Sequence, residues 1–316
     1  MNARPRAWLR VLLPVLAAAA LVLGAVAATA APGRPSSVRA PRAAAAAGHA
    51  SAAACNPYAS SLRPPPGPPQ VTPGSFMEKI RARGYLIAGV DQNTYHFGFR
   101  NPFDGQIEGF DIDMIKAVSQ AIFGNPDQVH YKAIPDSLRE KDVQSGVVDI
   151  VAHTMTILCK RLKNEDFSSV YFNAAQKVLV LKTSAARSLA DLRGQKVCAT
   201  VESDSLAAIV KYGAIPVAVP YWTDCLVLLQ QGDVAAISTD DAILAGLAAQ
   251  DPWTMILRPV VSQQPYGLAI SKQHPDFVRF VNAVLEQLRT DGQWAASYAH
   301  WIGHPVLAPP QAQYAD

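Results

Sequence analysis

The sequence predicts an α/β protein of two lobes, joined by two extended crossings, with a ligand cleft between them. Three observations carry that expectation. Strand and helix patterns alternate from residue 85 onward. The alternation begins anew after the apolar run KVLVLK at 177–182. A strand-like run at 266–271 then follows the second series and precedes a long amphipathic helix, so the chain returns to its first lobe.

Residues 85–90 (YLIAGV) read as a strand. Ile112, Ile115, Val118, Ala121 and Ile122 fall at helical spacing, predicting a helix over 110–123. A short strand at 129–134, a helical turn or two at 138–145 and a strand at 147–152 complete the first series. The run at 177–182 is nearly all apolar, as a strand buried on both faces would be. The second series has a short helix at 188–192, a strand at 196–201 and a helix at 205–212 stopped by Gly213. A strand at 215–219, a helix at 225–231 stopped by Gly232, a strand at 234–238, a helix at 240–249 and a strand at 255–257 follow. Phe277, Phe280, Val281, Val284, Leu285 and Leu288 mark one face of the last helix.

The front of the chain is different. Residues 1–54 hold six Arg, no Lys and no acid. Arg4, Arg6 and Arg10 precede an apolar stretch from Val11 to Val26, and Ala28-Thr29-Ala30 offers a small-x-small cleavage site. Residues 1–30 therefore read as an export signal, its cleavage site arguing against an uncleaved anchor. Residues 31–74, rich in Ala, Pro and Ser, read as a disordered, extended tether. Beyond residue 54, 22 basic residues (28 − 6) face 25 acids, so no basic patch for nucleic acid remains. Lobe 1 is expected to span 75–178 plus 270–303, lobe 2 to span 179–269, and 304–316 to form a tail.

Four cysteines in an exported chain predict two disulfides. Cys198 and Cys225 belong to one compact region and are paired, which leaves Cys55 with Cys159. Cys55 lies too far beyond the apolar stretch, and lacks a preceding Leu, for a lipid-accepting cysteine. No Cys-x-x-Cys and no clustered His supports a metal, and no phosphate loop or nucleophile elbow is present, so no cofactor is expected.

Ligands in open α/β sheets bind at strand ends. Arg161, beyond the strand ending at Ala152, suits a carboxylate gripped by two parallel hydrogen bonds; the alternative is a surface Arg in the run Lys160–Lys163. Asp91 and Asp240 also follow strands, with Tyr95 and Phe97 in the loop after Asp91. An Arg for an α-carboxylate, an Asp for an α-ammonium and aromatics over an apolar stem would complement a zwitterion. Each has a local alternative: Asp240 as a helix N-cap, Asp91 as a turn cap, the aromatics as core.

The segments GFDID (109–113), VQSGVVDI (143–150), TMTILCKR (154–161), DFSSVYF (166–172), LADLRGQKVC (189–198), LQQGDVAAISTDD (229–241), QPYGLAIS (264–271) and LRTDGQWAASYAHWIG (288–303) occur in the order found in type-3 extracellular solute-binding proteins. These are the amino-acid-binding components of ABC importers, with the type II periplasmic-binding-protein fold: two lobes, two hinge strands and a cleft. The resemblance covers roughly 76–303 and is strongest to the actinobacterial glutamine/glutamate-binding GlnH type, where the CNPYAS segment and the four cysteine neighbourhoods recur. It implies that Arg161 binds an α-carboxylate with help from Thr156, that Asp240 binds the α-amino group, that Tyr95 belongs to the region of an aromatic wall, and that Arg139 meets a side-chain carboxylate. The family's Gly-Ser/Thr-Thr-Ser loop is here Glu202-Ser203-Asp204-Ser205. Ser203 and Ser205 still face the cleft in this reading, while Glu202 and Asp204 would disfavour a dicarboxylic ligand.

The resemblance implies an exported, monomeric, non-enzymatic receptor for an L-amino acid of the Glu, Gln, Asp or Asn type, partnered by a membrane permease. Two alternatives remain. One is a sensor feeding a membrane signalling protein, distinguished by whether transporter subunits accompany it. The other is a dehydratase on the same scaffold, for which Glu202 and Asp204 are the candidate acids and bases. Whether the tether ends free or anchored stays open.

Overall fold

The structure, a computed structural model, describes residues 55–316; the export signal and the tether up to residue 54 lie outside the described residues. After α1 (Phe76–Arg83) comes a five-stranded sheet made of β1 (Leu86–Val90), β5 (Val129–Ala133), β6 (Ile150–Ala152), β7 (Glu165–Phe167) and β14 (Ala269–Ser271). Its order is β5-β1-β6-β14-β7; β1 runs parallel to β5 and β6, and the returning β14 runs antiparallel to β6 and β7. A small antiparallel sheet of β2 (Asn93–Thr94), β3 (Gly98–Arg100) and β4 (Ile107–Glu108) sits after β1. Helices α2 (Phe110–Phe123) and α3 (Arg139–Gln144) belong to this first lobe.

The second sheet has the order β10-β9-β11-β8-β12. Its strands are β8 (Phe172–Leu181), β9 (Lys196–Thr200), β10 (Ile215–Val219), β11 (Ala236–Asp240) and β12 (Thr254–Ile256), and β13 (Ser262–Tyr266) also pairs with β8. Helices α4 (Ser205–Lys211), α5 (Trp222–Gln231) and α6 (Asp241–Gln250) connect these strands. Helices α7 (Pro275–Thr290) and α8 (Gln293–Trp301) close the chain on the first lobe. The two-lobed α/β class is as expected. The crossings are the start of β8 and the whole of β13, paired antiparallel from Phe172↔Tyr266 to Gln176↔Ser262.

Local chemistry explains the boundaries. Ser75 caps α1 by accepting the Glu78 N–H, while Glu78 accepts the Gly74 N–H, and Gly84 ends the helix in a left-handed conformation. At Gly109, which starts α2 with φ 135°, a Cβ would fall 2.1 Å from the Phe97 carbonyl oxygen, so no other residue fits. The predicted face of α7 is buried in full, and each such apolar side chain contributes roughly 1.5–3 kcal/mol relative to exposure. Under the crossings Phe97, Phe110, Tyr171, Phe172, Tyr266, Trp294 and Tyr298 form one aromatic cluster, with Trp294 Nε1 donating to the Tyr171 carbonyl at 2.8 Å.

Residues 55–74 differ from the expected disordered tether. Ser61 donates to the Phe167 carbonyl, and Asn282 on α7 donates to both Ser61 Oγ and the Leu62 carbonyl. Tyr314 bridges to Ser61, and Asp316 pairs with Arg279. Both ends of the described chain are thus strapped to lobe 1. Leu62 and Val71 supply the apolar contact that composition alone understated. The structure joins Cys55 to Cys159 and Cys198 to Cys225, 104 and 27 residues apart in sequence.

Candidate functional site

The loop from β6 to Arg161 is held at several points. Thr154 sits in the left-handed region at φ 43°, with its N–H donating to buried Asp111 of α2 at 2.7 Å. Burial is the largest influence on Asp111, raising its pKa to about 6 against the opposing hydrogen bonds from Tyr171 and Thr154. Thr156 and Ile157 are stitched to β13, where the Ile157 N–H donates to the Pro265 carbonyl. The disulfide at Cys159 fixes the next turn. Arg161, 2% exposed, donates from Nε to Glu140 Oε1 and from Nη1 to the Thr156 carbonyl, both at 2.9 Å. Its Nη2 has no hydrogen-bond partner among the described residues. Arg139 is held by the carbonyls of Asp136 and His153 and by the Asp136 carboxylate at 3.3 Å. Burial alone would raise the pKa of Asp136, but Arg139 first, then His153, Thr200 and Arg161, leave it below the usual carboxylate range. Thr200 of lobe 2 donates to Asp136 of lobe 1, a direct link across the cleft.

Lobe 2 contributes a different chemistry. Asp240 ends β11 and is the N-cap residue of α6, but its side chain makes no cap hydrogen bond. It turns to Tyr266 on the crossing strand, accepting from the phenol at 2.7 Å. Burial, then the charges of Asp204 and Asp241, push its pKa well above the normal carboxylate value despite that hydrogen bond. Asp204 accepts from Gln264 Nε2 at 2.8 Å, and Ser203 donates to the Thr200 carbonyl.

Residues from both lobes line one tight hollow of about 10 Å³, room for little more than a single water molecule. Asp136, Arg139, Thr154, Thr156 and Arg161 line it from lobe 1; Ser203, Asp204, Ser205, Trp222, Thr239, Asp240 and Ile243 line it from lobe 2. The buried hydroxyl of Thr154 and Oδ1 of Asp136 have no hydrogen-bond partner among the described residues. A wider groove of about 900 Å³ lies outside lobe 1 along α2, α7 and α8, but it is open and gathers no such set of buried charges.

Of the residues singled out in the sequence, Arg161, Asp240, Thr156, Arg139, Ser203 and Ser205 all line the hollow. Asp91 does not. Its carboxylate accepts from the N–H groups of Gln92 and Asn93 and from the Thr94 hydroxyl, so it caps its own turn. Tyr95 is 39% exposed, packs edge-on against Phe99 and stands outside the lining. Phe97 is core. Glu202, expected in the cleft, is exposed at a left-handed turn with φ 60°, so only Asp204 brings an acid from that loop. Sequence reasoning missed Asp136, Thr154, Trp222, Thr239 and Ile243. Asp136 follows the strand β5 and Trp222 follows β10, so strand-end position was the available signal.

The profile of the bacterial extracellular solute-binding proteins, family 3, matches residues 86–304. The chain is 33% identical over 226 residues to the ABC transporter glutamine-binding protein GlnH of Bacillus subtilis, covering 71% of this chain and 83% of that protein. Among solved structures, an ancestral arginine-binding protein bound to glutamine superposes with a TM-score of 0.66 at 31% identity, over 70% of this chain and 99% of the other. The ancestral amino acid-binding protein AncCDT-1, a precursor of cyclohexadienyl dehydratase, does so with a TM-score of 0.67 at 29% identity, over 72% and 99%. The chain belongs to the bacterial extracellular solute-binding proteins, family 3.

Proposed function

We propose that this protein is the extracytoplasmic receptor of an ABC importer, a monomer whose lobes close on an L-amino acid of the Gln, Asn, Glu or Asp type and present it to a membrane permease. The lobes would divide near the β8 and β13 crossings. One observation carries this reading: Arg161 and Asp240, from opposite lobes, line the same small hollow. Arg161 keeps a donor free for an α-carboxylate. Among the described residues Asp240 forms no ion pair and hydrogen-bonds only a phenol, which suits an incoming α-ammonium. Glutamine in the name of the B. subtilis relative and in the bound ancestral structure supports the ligand class. The signal-like front and two disulfides fit export.

The remaining lining favours a carboxamide within that class. The charge of Arg139 is matched by Asp136, and Asp204 adds an acid. An amide donates to one and accepts from the other, whereas a second carboxylate meets two acids and a second ammonium meets Arg139. Glutamine or asparagine is therefore expected to bind more tightly than glutamate or aspartate. Isothermal titration with all twenty amino acids tests the proposal: heat with the amide and acidic members supports it, and heat-free titrations of folded protein contradict it.

The raised pKa of Asp240, hydrogen-bonded to Tyr266, also favours one second reading, a dehydratase using Asp240 as a general acid. Product formation from a cyclohexadienyl amino-acid precursor would establish it; binding of amino acids without turnover would exclude it.

A further inference from the structure

Helix α6 carries Asp240 at its start and, six residues on, Gly246 in its interior. Gly246 is buried against lobe 1 rather than lobe 2. A Cβ there would lie 2.7 Å from the Tyr95 carbonyl oxygen and 3.3 Å from the Tyr95 Cβ, closer than a methyl group and an oxygen can approach. The obstacle is backbone and is braced. Asp91 accepts three hydrogen bonds from residues 92–94, and the Phe97 N–H donates to the Thr94 carbonyl. Both α5 and α6 of lobe 2 touch β2, the strand just before Tyr95. Glycine in a helix interior is unfavourable by itself relative to alanine. A glycine retained where helix propensity argues against it, and where another lobe's backbone arrives, has a packing reason.

We infer that Gly246 is a positioning residue for ligand capture: its missing side chain sets how far the lobes close and thereby brings Asp240 to the ligand. The inference rests on the proposed closure around an amino acid. It reassigns Asp91 and Tyr95 as well. They act as the lobe 1 abutment on which α6 lands. With alanine at 246, full closure forces β2 or α6 to shift, while an open form is untouched and its helix is intrinsically better.

The test compares wild type with Gly246→Ala by two independent readouts. Calorimetric titration with L-glutamine is expected to show affinity lower by roughly ten- to hundredfold in the variant, while the ligand-free melting temperature stays level or rises. Equal affinities would overturn the inference, as would a parallel fall in melting temperature, which a merely structural role gives. The second readout needs no ligand. In an Asp136→Cys/Thr200→Cys background, oxidative trapping of the closed lobes is expected to slow by roughly tenfold when Gly246→Ala is added. Equal trapping rates would overturn the inference even if L-glutamine proved not to bind, an outcome that would count against the ligand reading alone.

Discussion

The two lobes bring opposite electrostatics to the same hollow. In lobe 1 the charges come already matched: Arg161 with Glu140, Arg139 with Asp136. In lobe 2 Asp240 hydrogen-bonds a phenol and, among the described residues, pairs with no cation, while Asp204 and Asp241 raise the cost of its ionisation against a weaker favourable pull from Arg139. A preorganised lobe can hold a zwitterion's carboxylate before closure. Under the proposed function, lobe 2 would gain most when an ammonium arrives, placing the driving force for closure there. The lobes differ in bracing too. The lobe 1 staple ties the strap at Cys55 to the loop that delivers Arg161, while the lobe 2 staple joins β9 to α5.

The largest effect should come from the staples. In the chain-entropy model, loops of 104 and 27 residues correspond to about 5 and about 3.5 kcal/mol of stability. The pair Cys55→Ala/Cys159→Ala is expected to lower stability by the larger amount in urea melts and also to weaken binding by loosening the Arg161 loop; Cys198→Ala/Cys225→Ala should leave ligand affinity nearer wild type. Equal losses of affinity would erase the distinction in bracing.

Asp240→Asn comes next. It should weaken amino-acid binding by about 3–5 kcal/mol, as removing one member of a buried charge pair does, while raising the thermal stability of the ligand-free protein at neutral pH. Loss of both stability and binding would show that Asp240 is structural. Acidification sharpens the same point. Because the folded pKa of Asp240 is raised, protonation should remove its hold on an ammonium, so affinity falls as pH drops through that value.

Asp111 gives lobe 1 its own pH signature. Its folded pKa of about 6 exceeds the ordinary unfolded value near ~4. The folded state therefore holds a proton that the unfolded state has released, and stability falls as pH rises across that window, by at most about 3 kcal/mol. Urea melts of wild type and Asp111→Asn between these pH values should diverge in slope, the variant being flatter. Smaller still, Arg161→Lys should cost about 1–3 kcal/mol of affinity through loss of the guanidinium fork, and Glu140→Gln about 1 kcal/mol through looser positioning of Arg161. A Glu140→Gln effect matching Arg161→Lys would mean that lobe 1 is less preorganised than its contacts imply.

What could be read from the chain follows from these same contacts. Strand ends are legible because apolar runs stop there, and this located Arg161 and Asp240, while Thr156, Arg139, Ser203 and Ser205 were reached only through the family resemblance; all six line the hollow. Side-chain direction is not legible. Asp91 sits at a strand end like Asp240, but its short carboxylate meets three donors in its own turn. Asp240 finds Tyr266, 26 residues away, on a crossing strand. The role of Tyr95 is a backbone contact to another lobe, which no local pattern carries. Strand β13 was missed because SQQPY opens with polar residues and contains a proline, although it pairs β8 along its whole length. Helix α8 lacks a clear polar face, and β2, β3 and β4 are too short for a period to show.

A crystal structure of the protein with L-glutamine bound is the most direct measurement. The expected result has the α-carboxylate on the Arg161 guanidinium and the α-ammonium on the Asp240 carboxylate, each at hydrogen-bond distance of about 2.7–3.0 Å. An amino acid seated elsewhere, or one in this hollow touching only one of those two side chains, would contradict the account.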